Sequence, residues 1–291
     1  MNQDNILHQE GGTNSRSESA WLKKYNAQEV ELPGGTVEVI DVAPKHLTST
    51  IPILYAPGWN PDAQVLRLIM PEITKAGRRG IALCAPHGID VPSDDAETRK
   101  TQAVLSLLDV KKLEKIDAIG HSEAGLYLVE AALKEPEKFR SILLVNPAGV
   151  IGPDSLPNLA ARFVKGVTLD VLGRCRDLLD RGHLQHSRLL RHIVRGSKSG
   201  LSSHAPKEVE AMSSRQIPEK LRTLREMGIH ICIVQTKDDK AFPASRRMLS
   251  PADYDELIEI EQGGHNFPLL EPEKFMPIAL QAFDRLAEKK S

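Results

Sequence analysis

"KIDAIGHSEAGLYLVEAAL", residues 115–133, passes from a short apolar run through Gly120 and Ser122 into a mostly apolar segment of helical character. A serine at such a junction has two readings. Its hydroxyl either caps the helix by accepting a backbone N–H bond, or it is a nucleophile held out on a sharp turn. The second reading requires small residues two positions to either side, so that neighbouring backbones can approach. Gly120 and Ala124 occupy those positions, and the second glycine, Gly125, falls one residue later than in a strict G-x-S-x-G pattern. The motif alone does not decide between a cap and a nucleophile.

Runs of strand character recur along the chain: "TVEVIDVA", "IPILYAP", "RGIALCAP", "KIDAIG", "FRSILLVNP", "IHICIVQT" and "YDELIEIE". Most are short, rich in Ile, Val or Leu, and closed by Pro, Gly or a polar turn. Uninterrupted apolar runs suit strands covered on both faces, as in a parallel sheet. Between them lie helical stripes, one on Val65, Leu66, Ile69, Met70 and Ile73, the other on Phe275, Ile278, Ala279, Ala282 and Leu286. Pro71 is expected to kink or split the first. The alternation predicts an α/β fold, a doubly wound, mostly parallel sheet with helices on both faces.

The pattern lapses over residues 151–214, which have helical but no strand periodicity and lie between two core strands. We expect a helical cap there, with the two parts of the core at 29–150 and 215–291 and a polar, disordered tail at 1–28. Between Ala161 and Gly200 the insertion carries nine Lys/Arg and three Asp residues, a local charge of +6 in a chain whose total is −1. Either these cations form a solvated face, or some turn toward the cleft and favour an anionic substrate.

Composition narrows the function classes. With 291 residues, 41% of them hydrophobic and 26% charged, the chain can bury one large core. Its 38 basic and 39 acidic residues set up no global field for nucleic acid. Cys84, Cys175 and Cys232 are too few and scattered for a disulfide framework or a zinc site, and no stretch reaches the length of a membrane span. The expectation is a cytoplasmic protein without nucleic-acid or integral membrane partners.

A serine hydroxyl is a weak nucleophile near neutral pH and needs a base, which in turn needs a group to fix its tautomer. "IHICIVQTKDDKAFP" runs a strand into Asp238 and Asp239, and "YDELIEIEQGGHNFP" releases another through Gly263 and Gly264 into His265. Ser122, an aspartate and His265, in that order, resemble the α/β-hydrolase superfamily. The resemblance covers about residues 30–290. It implies Ser122 as nucleophile, His265 as base and Asp239 as its partner, leaving Asp238 a solvated turn residue. It further implies an oxyanion hole from the backbone N–H groups of Trp59, in "LYAPGWNP", and Glu123. Pro57-Gly58 stands where the family usually has His-Gly. The Trp59 side chain would border the acyl pocket, and His87 in "APHGID" would touch substrate. His121 is expected only to pack, its ring directed away from the serine. Neither cofactor nor metal is implied. The activity implied is a serine esterase with a small acyl substrate. Thioester, amide, perhydrolase or C–C bond hydrolysis on the same triad remains open, as does a ligand-binding, receptor-like protein on a hydrolase scaffold.

Overall fold

The computed structural model describes residues 25–59, 66–85, 87–93, 95–166, 168 and 205–288. Eight strands form one sheet: β1 (Gln28–Leu32), β2 (Gly35–Val42), β3 (Ile53–Ala56), β4 (Gly80–Cys84), β5 (Ile116–His121), β6 (Phe139–Val145), β7 (His230–Thr236) and β8 (Glu256–Ile260). Their spatial order is β1-β2-β4-β3-β5-β6-β7-β8. Strands β3 to β8 pair in parallel, whereas β1–β2 and β2–β4 are antiparallel. The expected fold class is therefore the observed one.

The helices are α1 (Met70–Lys75), α2 (Ala96–Val110), α3 (Ala124–Lys134), α4 (Ala205–Ser214), α5 (Pro218–Glu226), α6 (Phe267–Leu270) and α7 (Pro272–Glu288). A further helical segment runs through 156–166. Side chains of a strand alternate between faces, and the sheet uses both. Leu54 and Ala56 join Val104 and Leu107 of α2, Leu128 of α3 and Leu221 of α5 in one core. Ile53 and Tyr55 join Ile69 and Ile73 on the α1 side and Phe275, Ala279 and Phe283 of α7 in the other. Leu66, Ile69, Met70 and Ile73 are all fully buried. Pro71 opens α1 instead of bending a longer helix, because its missing N–H costs nothing in a first turn.

The sequence reading misses β1. "QEVEL" is an edge strand with only Leu32 buried, and its pairing depends on the Pro33-Gly34 turn into β2. Packing also begins before the expected boundary at residue 29: Tyr25 is buried, and its hydroxyl shares a 2.9 Å hydrogen bond with Thr74 Oγ1. Cys84 and Cys232 are both buried, while Cys175 lies outside the described residues. So do the tail up to residue 24 and most of the expected cap.

Asp117 anchors the start of β5, the strand that delivers Ser122. Fully buried, it accepts from Arg78 Nη2 at 2.5 Å, Arg140 Nε at 2.8 Å and Ser141 Oγ at 2.6 Å. Arg78 is itself buried and also donates to the Ile51 carbonyl before β3. Deleting one partner of such a pair leaves the other charge uncompensated. Asp117→Ala is therefore expected to destabilise the protein by about 3–5 kcal/mol, read as a lower urea midpoint with an unchanged m-value. A midpoint within error of wild type would count against this anchoring role.

Candidate active site

Strand β5 ends at His121 and α3 begins at Ala124, so the chain reverses within two residues. Ser122 takes up that turn in a left-handed conformation, φ 57°, which side-chain-bearing residues rarely adopt. Its backbone is secured from several directions. Ser122 N donates to the Val145 carbonyl at 3.1 Å, and its own carbonyl accepts from Gly125 N at 3.0 Å and Ala148 N at 2.9 Å.

The small flanking residues have steric reasons. A Cβ on Gly120 would lie 2.9 Å from Leu144 Cδ2 and 3.5 Å from the Ala124 carbonyl carbon, so residues 120 and 124 do face each other across the turn. Gly125 abuts Pro147 and the Ala148 carbonyl. Gly58 touches the serine directly, where a Cβ would come within 2.7 Å of Ser122 Cβ and 3.1 Å of the His121 carbonyl. The 57–59 turn thus passes against Ser122.

Ser122, Asp239 and His265 come together although they are far apart in sequence. His265 Nε2 lies 2.9 Å from Ser122 Oγ, and Nδ1 lies 2.9 Å from Asp239 Oδ2. All three residues are buried. Asp239 Oδ1 accepts from Ala241 N at 2.7 Å and Phe242 N at 3.1 Å. Burial pushes its pKa up, but the His265 charge and these hydrogen bonds outweigh that and hold it below the usual carboxylate range. An ionised carboxylate accepts from Nδ1–H and leaves Nε2 free to take a proton from the serine.

Two readings change here. Asp238 is no solvated turn residue. Half-buried, it accepts from Gly263 N at 3.1 Å and Gly264 N at 2.9 Å, tying the loop that carries His265 to the end of β7. His121 does more than pack. Its Nε2 lies 2.9 Å from the His265 carbonyl, and the two rings are 5.2 Å apart. Asn146, at the end of β6, supports the same loop. Its Nδ2 donates to the Gly264 and His265 carbonyls at 3.1 and 3.0 Å, and its Oδ1 accepts from Thr236 N.

The aromatic surroundings of His265 were not legible in the sequence. Phe242 lies 5.4 Å from its ring, and Phe163, from the 156–166 segment, lies 5.3 Å from it in a T-shaped arrangement. Phe163 also meets the Trp59 ring at 6.4 Å. Trp59 is half-buried, and its indole donates to Glu208 Oε2 at 2.7 Å. His87 Nδ1 lies 3.4 Å from Glu208 Oε1, with about a third of the side chain exposed. Of the basic residues in the insertion, Arg162 pairs with Asp154 and donates to the Ala241 carbonyl at 3.1 Å. Arg174, Arg176, Arg181, Arg188, Arg191, Arg195 and Lys198 lie outside the described residues. Among the described residues no helix is long and apolar enough to cross a membrane, and no group of His, Cys, Asp and Glu is arranged to hold a metal ion.

Residues 53–278 match the model of the alpha/beta hydrolase family, and the chain belongs to that family. Among curated proteins it is similar to the "Putative carbamate hydrolase RutD" of Agrobacterium fabrum (strain C58 / ATCC 33970), 23% identical over 236 residues, which cover 77% of this chain and 86% of that one. The protein of the same name from Rhizobium rhizogenes (strain K84 / ATCC BAA-868) is 22% identical over 230 residues, 75% of this chain and 84% of that one. Similar solved structures include a hydrolase from Pseudomonas aeruginosa PA01, with TM-score 0.65, 18% identity and coverage of 88% and 97% of the two chains. A thermophilic esterase from Thermogutta terrifontis gives TM-score 0.62, 15% identity and coverage of 89% and 99%.

His121 yields a pH prediction. Burial, then the neighbouring His265 charge, push its pKa down to about 3. The unfolded chain binds a proton near pH 6.5 that the folded protein refuses. Its contribution to stability is thus complete above that pH and is lost progressively as pH falls toward 3. The decline in unfolding free energy between pH 7 and 4.5, measured in urea, should be shallower in His121→Gln than in wild type. Equal declines would remove His121 as a source of acid sensitivity.

Proposed function

We propose that this protein is a serine hydrolase that cleaves carboxylic esters through a covalent acyl-enzyme, with Ser122, His265 and Asp239 as its triad. The observation that carries this reading is the unbroken hydrogen-bonded chain from Asp239 through His265 to a serine in a left-handed turn. Ser122 Oγ attacks the ester carbonyl while its proton passes to His265 Nε2. The tetrahedral intermediate collapses when the imidazolium returns that proton to the departing alkoxide, releasing an alcohol. Water, deprotonated by the same imidazole, then attacks the acyl-serine, and the acid leaves as the serine recovers its proton. Asp239 keeps the imidazole in the required tautomer and stabilises the imidazolium.

The negative charge that develops on the carbonyl oxygen would be met by the backbone N–H groups of Trp59 and Glu123. Gly58 supports this role, since its lack of a side chain lets the turn lie on Ser122. Trp59, Phe163 and Phe242 give the neighbourhood of His265 apolar walls suited to an apolar acyl or alcohol group. His87 at the rim is a further substrate contact in this reading. Core parts at 29–150 and 215–291, with a cap at 151–214, complete the proposed organisation, and the substrate is a small acyl compound needing no cofactor.

The names of the two curated relatives favour a second substrate class, carbamates, whose carbonyl would be attacked in the same way. Parallel p-nitrophenyl acetate, butyrate and N-methylcarbamate assays would rank the two. Faster turnover of the carbamate would replace the ester assignment.

Ser122→Ala should abolish labelling by a fluorophosphonate probe while leaving the unfolding midpoint near wild type. Full-rate labelling of that variant would refute the nucleophile. Asp239→Asn should lower kcat about 10⁴-fold by permitting the wrong tautomer. Asp238→Asn retains a side-chain oxygen for the two glycine N–H groups and should cost much less. Equal losses in the two variants would leave Asp239 without a distinct role.

A further inference from the structure

Behind the elbow lies a buried charged cluster that the proposed reaction does not use. Glu97 and Lys100 come from α2, Glu123 precedes α3, and Glu208 comes from α4. None of the four is more than 3% exposed. Lys100 Nζ sits 2.5 Å from Glu123 Oε1 and 3.1 Å from Glu208 Oε1. Glu208 Oε2 accepts the Trp59 indole proton at 2.7 Å. The chain Glu123–Lys100–Glu208–Trp59 therefore begins and ends on the two residues whose backbone N–H groups form the oxyanion hole in our reading of the site. Across it, Tyr127 of α3 donates to the Pro57 carbonyl at 2.5 Å, holding the same turn at a second point.

We propose that Glu208 is a positioning residue for the oxyanion hole, holding the 57–59 turn through the Trp59 indole and fixing it relative to Glu123 through Lys100. Its chemistry suits the task. A carboxylate accepts from an indole N–H in a strong, charge-assisted bond, and its second oxygen takes the ammonium that also serves Glu123. Removing Glu208 frees the indole and lets the turn relax. Loss of a single oxyanion donor costs about 10²–10³-fold in kcat, so a displaced donor should cost up to that much.

The inference rests on the triad and oxyanion assignment above, and the test separates the two. Initial rates on p-nitrophenyl butyrate would be compared for wild type, Trp59→Phe, Glu208→Ala, Glu208→Gln and the double variant Trp59→Phe/Glu208→Ala, at a temperature well below each melting transition. Trp59→Phe keeps an aromatic ring and removes the donor nitrogen with the rest of the five-membered ring. Both it and Glu208→Ala should lower kcat about 10- to 100-fold with KM altered less than about threefold. The double variant should be no slower than the slower single variant, because both remove one contact. Glu208→Gln, which keeps an acceptor, should recover most of the rate. Unchanged kcat in Trp59→Phe, or multiplied losses in the double variant, would overturn the proposal. If Glu208→Ala does not fold, Trp59→Phe against Glu208→Gln still decides it, since unchanged kcat in the first or no advantage for the second counts against the role. Wild-type protein that takes up no fluorophosphonate at Ser122 would instead refute the serine-hydrolase reading itself.

Discussion

The backbone of Ser122 is the constraint from which the rest of the site follows. A serine at φ 57° is held in a sparsely populated conformation that survives only where surrounding structure over-determines it. Here that structure is the bond from Ser122 N to the Val145 carbonyl at the end of β6, together with two N–H groups on its own carbonyl. The turn exists because β5 and β6 are paired through their last residues and α3 starts at once. The bare backbones of Gly58 and Gly120 then follow, since a side chain at 58 would collide with Ser122 and one at 120 with Leu144.

The imidazole is located by a different means. His265 stands on a loop, and loops are ordinarily the mobile part of a fold. This one has its carbonyls and amides taken up by side chains from three strand ends: His121 from β5, Asn146 just beyond β6, and Thr236 and Asp238 from the end of β7 and the turn after it. Parallel strands all present their carboxyl ends on one edge of a sheet, where α/β proteins place their ligand crevices. Parallel topology thus brings together side chains more than a hundred residues apart without any long excursion of the backbone.

Most strands were legible because a parallel interior strand must be apolar on both faces, a pattern such as "FRSILLVNP" cannot hide. β1 was not, since an edge strand carrying Gln28, Glu29 and Glu31 buries little and owes its pairing to a turn. Ser122, His265 and an aspartate could be read because each sits at a strand end, in an order that resembles a known family. The support could not. Glu208 lies 149 residues from Trp59, and Phe163 about a hundred from His265, so no local periodicity links either pair. Asp238 looked like an ordinary turn acid because its partners are backbone N–H groups, which leave no mark in a sequence.

The buried acids behind the elbow carry the electrostatic argument furthest. Glu123 and Glu208 share Lys100 while Glu97 acts on it only through its charge, and burying ions costs several kcal/mol each unless they are well paired. At Glu97 the balance shifts toward the neutral form. Burial, then the neighbouring Glu123 charge, raise its pKa well above the usual carboxylate range. Glu208 remains ionised because burial, which would raise its pKa, is outweighed by Lys100 and by the hydrogen bond from Trp59. An apolar cluster of similar volume would serve the fold as well or better. What it could not supply is an acceptor aimed at the indole of the residue beside Gly58, a bond whose direction only a polar group can set.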